Sequence, residues 1–61
     1  MKAENIKPGK YYLYDEDGGV QVKCKSINQE KQTIRFVDEA DDYYEWDEPF
    51  SEVEGSVIKE L

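Results

Sequence analysis

Apolar and polar residues alternate along two stretches in the middle of the chain, residues 20–27 and 32–37. An alternation with a period of two turns one face of an extended strand toward the interior and the other toward water. A short polar segment separates the two stretches, and this arrangement predicts a β-hairpin. The positions that we predict to face the interior are Val20, Val22, Cys24, Ile34 and Phe36.

Three further strands are predicted on either side of this hairpin. They occupy residues 10–14, 43–47 and 56–60. Polar loops are predicted at residues 15–19 and 38–42. We expect Glu48-Pro49 to stop the fourth strand, because proline has no donor for a ladder hydrogen bond. One turn of 3₁₀ helix is predicted at residues 50–54, and residues 1–7 are expected to be loosely ordered.

The C-terminal residues fit two interpretations. Val53, Val57 and Leu61 have the i, i+4, i+8 spacing of a short helix. Gly55 costs such a helix about 1 kcal/mol relative to alanine, and the β-branched pair Val57-Ile58 favours a strand. The sequence therefore predicts a single all-β domain over residues 1–61, a small five-stranded barrel with a 3₁₀ turn before the last strand. The alternative is a β-sheet with a short C-terminal helix.

The order of these segments resembles that of an SH3-like barrel, and within that superfold a Tudor-type domain. The segments that carry the resemblance are KPGKYYLY, DEDGGVQVKCKSI, NQEKQTIRFVDEAD and YYEWDEPFSEVE, within residues 6–58. The resemblance implies an aromatic cage that holds a methylated lysine or arginine through cation–π attraction. Tyr14 and Phe36 fall at two cage positions. The other two fall near Gln21 and Glu39, so the cage is incomplete unless Tyr43 supplies a wall.

The charge of the chain is strongly negative and unevenly distributed. The net charge is −7, and residues 36–61 carry ten Asp or Glu against Lys59 alone. Such a surface repels phosphate backbones and attracts basic partners. Direct nucleic-acid binding is therefore disfavoured, since it depends on the neutralisation of phosphates.

The aromatic residues exceed what one small core can hide. There are eight of them in 61 residues, and Tyr12 and Tyr14 would lie on the face of their strand opposite Tyr11 and Leu13. We therefore expect an exposed patch that anchors a partner, since tyrosine is enriched at binding hot spots. The predicted partner-binding residues are Tyr12, Tyr14, Phe36 and Tyr43, together with the acidic Asp38, Glu39, Asp41, Asp42, Glu45 and Asp47.

These features predict a non-catalytic protein–protein interaction module that binds a basic partner surface. The alternative is an acidic, phage-type DNA mimic that inhibits a nucleic-acid-binding protein. An enzyme is disfavoured, because the chain has no histidine to act as a base and Cys24 lies on the apolar face of its strand.

Neither a metal nor a cofactor is expected. An EF-hand loop that starts at Asp38 would need a polar ligand at Ala40 and glycine at Tyr43. A single cysteine and the lack of a signal peptide predict a cytoplasmic protein, and no stretch is apolar enough to cross a membrane. A homodimer stays an alternative, since a core this small invites association.

Overall fold

A computed structural model describes all 61 residues of the chain. A single antiparallel sheet of five strands carries one short helix, and the strand order is β4-β3-β2-β1-β5. The strands are β1 (Tyr11–Tyr14), β2 (Val20–Asn28), β3 (Thr33–Asp38), β4 (Tyr44–Pro49) and β5 (Val57–Glu60). The helix α1 (Phe50–Ser56) lies between β4 and β5, and a 3₁₀ turn covers Ala3–Asn5. No helix is long and apolar enough to span a membrane.

The central hairpin forms as the alternation predicts. Cys24 of β2 lies opposite Phe36 of β3, and both side chains are fully buried. A bulge near Lys25 shifts the register by one residue, so that Ile27 returns to the core side opposite Ile34. The predicted inward positions of β3 are therefore confirmed.

The core side of β1 differs from the prediction that Tyr12 is exposed. Tyr12 lies opposite Val22, and both are almost completely inaccessible to solvent. The run Tyr11–Tyr14 is apolar on both faces, so its own pattern does not choose the inward face. The pairing with β2 makes that choice, and the expected exposure of Tyr12 is wrong.

The strands form an open sheet. The edge strands β4 and β5 do not pair with each other, and α1 contacts both of them. An α-helix of seven residues forms where we predicted a 3₁₀ turn, and its Val53 is fully buried. Gly55 is tolerated within this helix, and Val57 begins β5, as the favoured strand interpretation required.

Two chain segments extend further into the fold than predicted. β4 continues through Glu48 to Pro49, because an edge strand tolerates a residue without an N–H donor. The first residues do not form a loose end. Ile6 is buried, and the Met1 ammonium donates hydrogen bonds to the carbonyl oxygens of Glu54 and Val57 at 3.0 and 2.7 Å.

Candidate functional site

The main concave feature is a cleft of about 500 Å³ at the end of the sheet where the β1–β2 and β3–β4 loops meet. We call it the acidic cleft. Its lining residues are Tyr14, Glu16, Asp17, Val20, Asp38, Asp41, Tyr44, Trp46 and Glu48. Five of these are carboxylates and none is a cation.

Strand pairing brings the aromatic wall of the cleft together. Trp46 of β4 lies opposite Phe36 of β3, with ring centroids 5.9 Å apart. Tyr14, at the end of β1, meets Trp46 edge-on at 5.3 Å. Tyr44 stacks on Trp46 at 5.8 Å with an interplanar angle of 25° and is 60% exposed. The wall thus runs from the buried Phe36 outward to a ring open to solvent.

Glu48 is the only charged residue that is buried, with 6% of its surface exposed. Its Oε1 accepts hydrogen bonds from the Tyr14 hydroxyl at 3.1 Å and from the Trp46 indole N–H at 3.0 Å. Burial raises the pKa of Tyr14, so this hydroxyl stays a donor. The carboxylate is therefore held in place by the two aromatic side chains that line the cleft beside it.

The two loops at the mouth of the cleft depend on specific backbone conformations. In the β1–β2 loop, Gly19 has a φ of 114°, and a Cβ there would approach Leu13 Cδ1 to 3.0 Å. In the β3–β4 loop, Asp38 Oδ1 accepts the backbone N–H groups of Ala40 and Asp41, both at 3.2 Å. Carboxylates of both loops line the same opening.

The opposite face of the sheet carries acidic residues of a different kind. Arg35 donates two hydrogen bonds to Asp47, at 2.9 and 3.0 Å, and Lys25 pairs with Glu45 at 2.7 Å. We call Lys25, Arg35, Glu45 and Asp47 the paired face. The hydrogen bond from Arg35 lowers the pKa of Asp47. The negative charge of β4 is thus matched by cations of β2 and β3 on this face alone.

The predicted site residues therefore separate into three groups. Tyr14, Asp38 and Asp41 line the acidic cleft. Tyr12 and Phe36 are completely buried core residues, so neither side chain is exposed as the predicted patch required. Five others lie away from the cleft lining, namely Glu39, Asp42, Tyr43, Glu45 and Asp47.

Among these five, Glu39 and Tyr43 line a smaller pocket of about 320 Å³ beside Lys23 and Lys25. Glu39 Oε1 accepts a hydrogen bond from the Tyr11 hydroxyl at 3.0 Å, and that hydrogen bond is the main cause of the raised pKa of Tyr11. Tyr43 is 66% exposed. The acidic side chains that we predicted as one partner-binding set are therefore divided between the cleft and other parts of the surface.

Sequence reasoning missed several residues of the cleft. Glu48 continues the alternation of Tyr44 and Trp46 and therefore lies on the same face of β4. A carboxylate that follows two aromatic residues on one face was the sequence signal that could have identified it. The strand was predicted to end before it. The acidic residues of the β1–β2 loop were interpreted only as turn residues. The missed cleft residues are Glu16, Asp17, Val20, Tyr44, Trp46 and Glu48.

The chemistry of the remaining groups is limited. Cys24 is a free, fully buried thiol, and burial raises its pKa, which disfavours the reactive thiolate. No three His, Cys, Asp or Glu side chains are grouped so that they could hold a metal ion.

Fold and site together define a small, mostly β domain with an open antiparallel sheet and an acidic cleft walled by aromatic rings. Neither a known family model, nor a curated protein, nor a solved structure matches the chain significantly. The functional argument therefore depends on the cleft itself.

Proposed function

We propose that this protein is a non-catalytic interaction module that binds a basic partner protein through the acidic cleft. The observation that carries the proposal is the composition of the cleft, in which five carboxylates face three aromatic rings without any cation. No salt bridge satisfies these carboxylates, since all three ion pairs of the protein lie on the paired face. A basic partner would supply the missing positive charge.

The physical basis of the interaction is twofold. Unpaired carboxylates around one opening attract a cationic surface and raise its association rate. Aromatic side chains supply contact area at low entropic cost, and they are enriched among binding hot spots. Tyr44 is the exposed anchor of the wall, so it takes the role that we had predicted for Tyr12.

We further propose an SH3-like architecture of the Tudor type for this sheet. The strand order β4-β3-β2-β1-β5 and the short helix before β5 support it. Of the two matched cage positions, Tyr14 lines the cleft and Phe36 is buried, and Tyr44 and Trp46 supply two further rings. A methylated lysine or arginine is therefore an alternative ligand within the same proposal.

The absence of catalysis and the cytoplasmic setting are also proposals. The chain has no histidine, and its only thiol is buried. A free cysteine suits a reducing compartment.

A DNA mimic is the second candidate function. The net charge of −7 and the unpaired carboxylates of the two loops favour it. The ion pairs of Glu45 and Asp47 weigh against it, because a row of phosphate-like charges has to stay unpaired. We therefore rank it below the interaction module.

The test compares two double variants that each remove two negative charges. Asp38→Asn with Asp41→Asn neutralises the cleft, and Glu45→Gln with Asp47→Asn neutralises the paired face. Binding of a short lysine- and arginine-rich peptide is measured by calorimetry at low and physiological ionic strength. We expect the first variant to lose most of the affinity and the second to retain it. Equal losses of affinity in the two double variants would contradict the proposal. If Tyr44→Ala leaves the affinity unchanged, that result would also contradict it and would favour the DNA mimic.

A further inference from the structure

We infer that the acidic cleft holds one unmodified arginine side chain of the partner, whose guanidinium donates a hydrogen bond to Glu48 Oε2. This inference depends on the proposed function and specifies its ligand. It differs from trimethyllysine, one of the methylated ligands that the Tudor resemblance implies, because it requires N–H groups on the bound cation.

The first argument concerns the second oxygen of Glu48. Both hydrogen bonds to this side chain end at Oε1. Every polar side-chain atom that is fully buried in the protein has a hydrogen-bond partner. Oε2 accepts no hydrogen bond, so it is not fully buried, although only 6% of the Glu48 surface is exposed. Since Glu48 lines the cleft, we place this oxygen at the cleft surface. It is a fixed acceptor without a donor.

The second argument concerns the orientation of this acceptor. Tyr14 and Trp46 hold Oε1 from the protein side, so the carboxylate has little freedom to turn. A ligand that donates to Oε2 meets a preorganised group and loses little entropy at the protein. Hydrogen bonds between charged partners are also about twice as strong as neutral ones.

The third argument concerns the aromatic rings. Tyr44 and Trp46 are stacked at 25° to each other, and Tyr44 is 60% exposed. A guanidinium is planar and weakly hydrated, and it stacks on such rings while its edge donates hydrogen bonds. An ammonium is compact and strongly hydrated, so lysine gains less from the same wall.

The fourth argument distinguishes arginine from a trimethylated lysine. A trimethylammonium group keeps its charge but has no N–H, so it would cover Oε2 without a hydrogen bond. An acceptor that is buried without a hydrogen-bond donor costs roughly 1–3 kcal/mol. The expected order of affinity is therefore arginine, then lysine, then trimethyllysine.

The experiment uses Trp46 as its probe, since it is the only tryptophan of the chain and lines the cleft. Its fluorescence is titrated with four peptides of the form Gly-Ser-X-Ser-Gly, where X is arginine, lysine, trimethyllysine or citrulline. We expect a saturable change with arginine, about tenfold weaker binding of trimethyllysine, and none with citrulline, which has a similar shape but no charge.

A matched pair of variants tests the acceptor. Glu48→Gln keeps an Oε1 for Tyr14 and Trp46 but replaces Oε2 with a donor that opposes a guanidinium. Glu45→Gln makes the same change on the paired face. We expect the first variant to weaken arginine binding at least about tenfold and the second to leave it unchanged. Circular dichroism of both variants checks that the fold is retained.

Three results would overturn the inference, namely trimethyllysine binding as tightly as arginine, Glu48→Gln without effect, or no response of Trp46 to the arginine peptide. If Trp46 does not respond but the lysine- and arginine-rich peptide still binds in a way that depends on Asp38 and Asp41, only the inference fails. If that peptide does not bind either, the proposed function fails with it.

Discussion

Both faces of β4 carry carboxylates, but only the carboxylates of one face have ion-pair partners. On one face Tyr44, Trp46 and Glu48 line the acidic cleft, where no cation is present. On the other face Glu45 and Asp47 are held by Lys25 and Arg35. The strand is a run of six residues, and consecutive side chains of that run belong to different electrostatic environments.

This contrast shows that an acidic run in a sequence is not an acidic surface. Alternation along a strand divides the carboxylates between the faces, and residues of the neighbouring strands then decide which of them stay unpaired. Exposed ion pairs stabilise little, so the ion pairs of the paired face contribute little to the stability of the fold. The unpaired carboxylates of the cleft repel one another, and they are the ones to which our proposal assigns a basic partner.

The largest expected effect is a difference in stability between variants at the two ends of the aromatic wall, the buried Phe36 and the exposed Tyr44. Phe36→Ala should cost about 3–5 kcal/mol, which is comparable with the whole stability of a domain this small. Tyr44→Ala should cost about 1 kcal/mol or less, because that ring is largely exposed. Urea unfolding followed by circular dichroism measures both. Similar costs for the two variants would mean that the wall is not graded from core to solvent.

The next effect concerns Glu48, the buried carboxylate that lines the cleft. Glu48→Ala should lower the free energy of unfolding by about 1–3 kcal/mol, since it leaves the Tyr14 hydroxyl and the Trp46 indole N–H without an acceptor. Glu48→Gln keeps the acceptor and should cost clearly less. The urea midpoints of the two variants measure the difference. If the alanine and glutamine variants have the same urea midpoint, the hydrogen bonds to Oε1 do not stabilise the fold.

A smaller and opposite effect is expected in the β3–β4 loop. Asp42 and Tyr43 both have positive φ, at 55° and 59°, and Tyr44 N–H donates to the Asp41 carbonyl at 3.1 Å, as in a type I′ turn. Since this turn favours glycine, Tyr43→Gly should stabilise the domain by about 1 kcal/mol or less. Ala40→Gly, at a residue without positive φ, is the control and should not stabilise it.

The same variant sharpens the comparison of the faces. Tyr43 lies beside the paired face and not in the cleft. Tyr43→Gly should therefore leave the affinity for the basic peptide unchanged. A loss of binding would return Tyr43 to the site, as the sequence had predicted.

The smallest effect is a pH dependence of the paired face. The hydrogen bond from Arg35 lowers the pKa of Asp47 below its ordinary value of 3.8. A carboxyl group whose pKa is lower in the folded than in the unfolded state stabilises the folded state at pH values above its unfolded-state pKa. This contribution is lost as the pH falls through the folded-state pKa. Arg35→Gln should return the pKa of Asp47 toward 3.8, as followed by NMR of the side-chain carboxyl. An unchanged titration would show that the ion pair does not form in solution.

The sequence predicted the parts of the fold that depend on local alternation. Ile34 and Phe36 face the core as expected, because they alternate with the polar Thr33 and Arg35 along β3. It failed at Tyr12, where both faces of β1 are apolar and pairing with Val22 decides. Sheet pairing is a long-range property, and no pattern within four residues contains it.

The site was harder to predict for the same reason. Tyr14, Asp38 and Asp41 were identified from their residue types, but the cleft also needs Glu16 and Asp17 from a distant loop. Glu45 and Asp47 were expected to bind a partner, and their cations, Lys25 and Arg35, come from other strands. Which carboxylates are unpaired is decided only when the strands are brought together.

The most direct test of the central claim is a chemical-shift map of the ¹⁵N-labelled protein during titration with the lysine- and arginine-rich peptide. The account predicts shifts at the Trp46 indole N–H and in the two loops that carry Glu16, Asp17, Asp38 and Asp41, with small changes at Lys25 and Arg35. Shifts centred on Lys25, Arg35, Glu45 and Asp47 would contradict it and would make the paired face the binding surface.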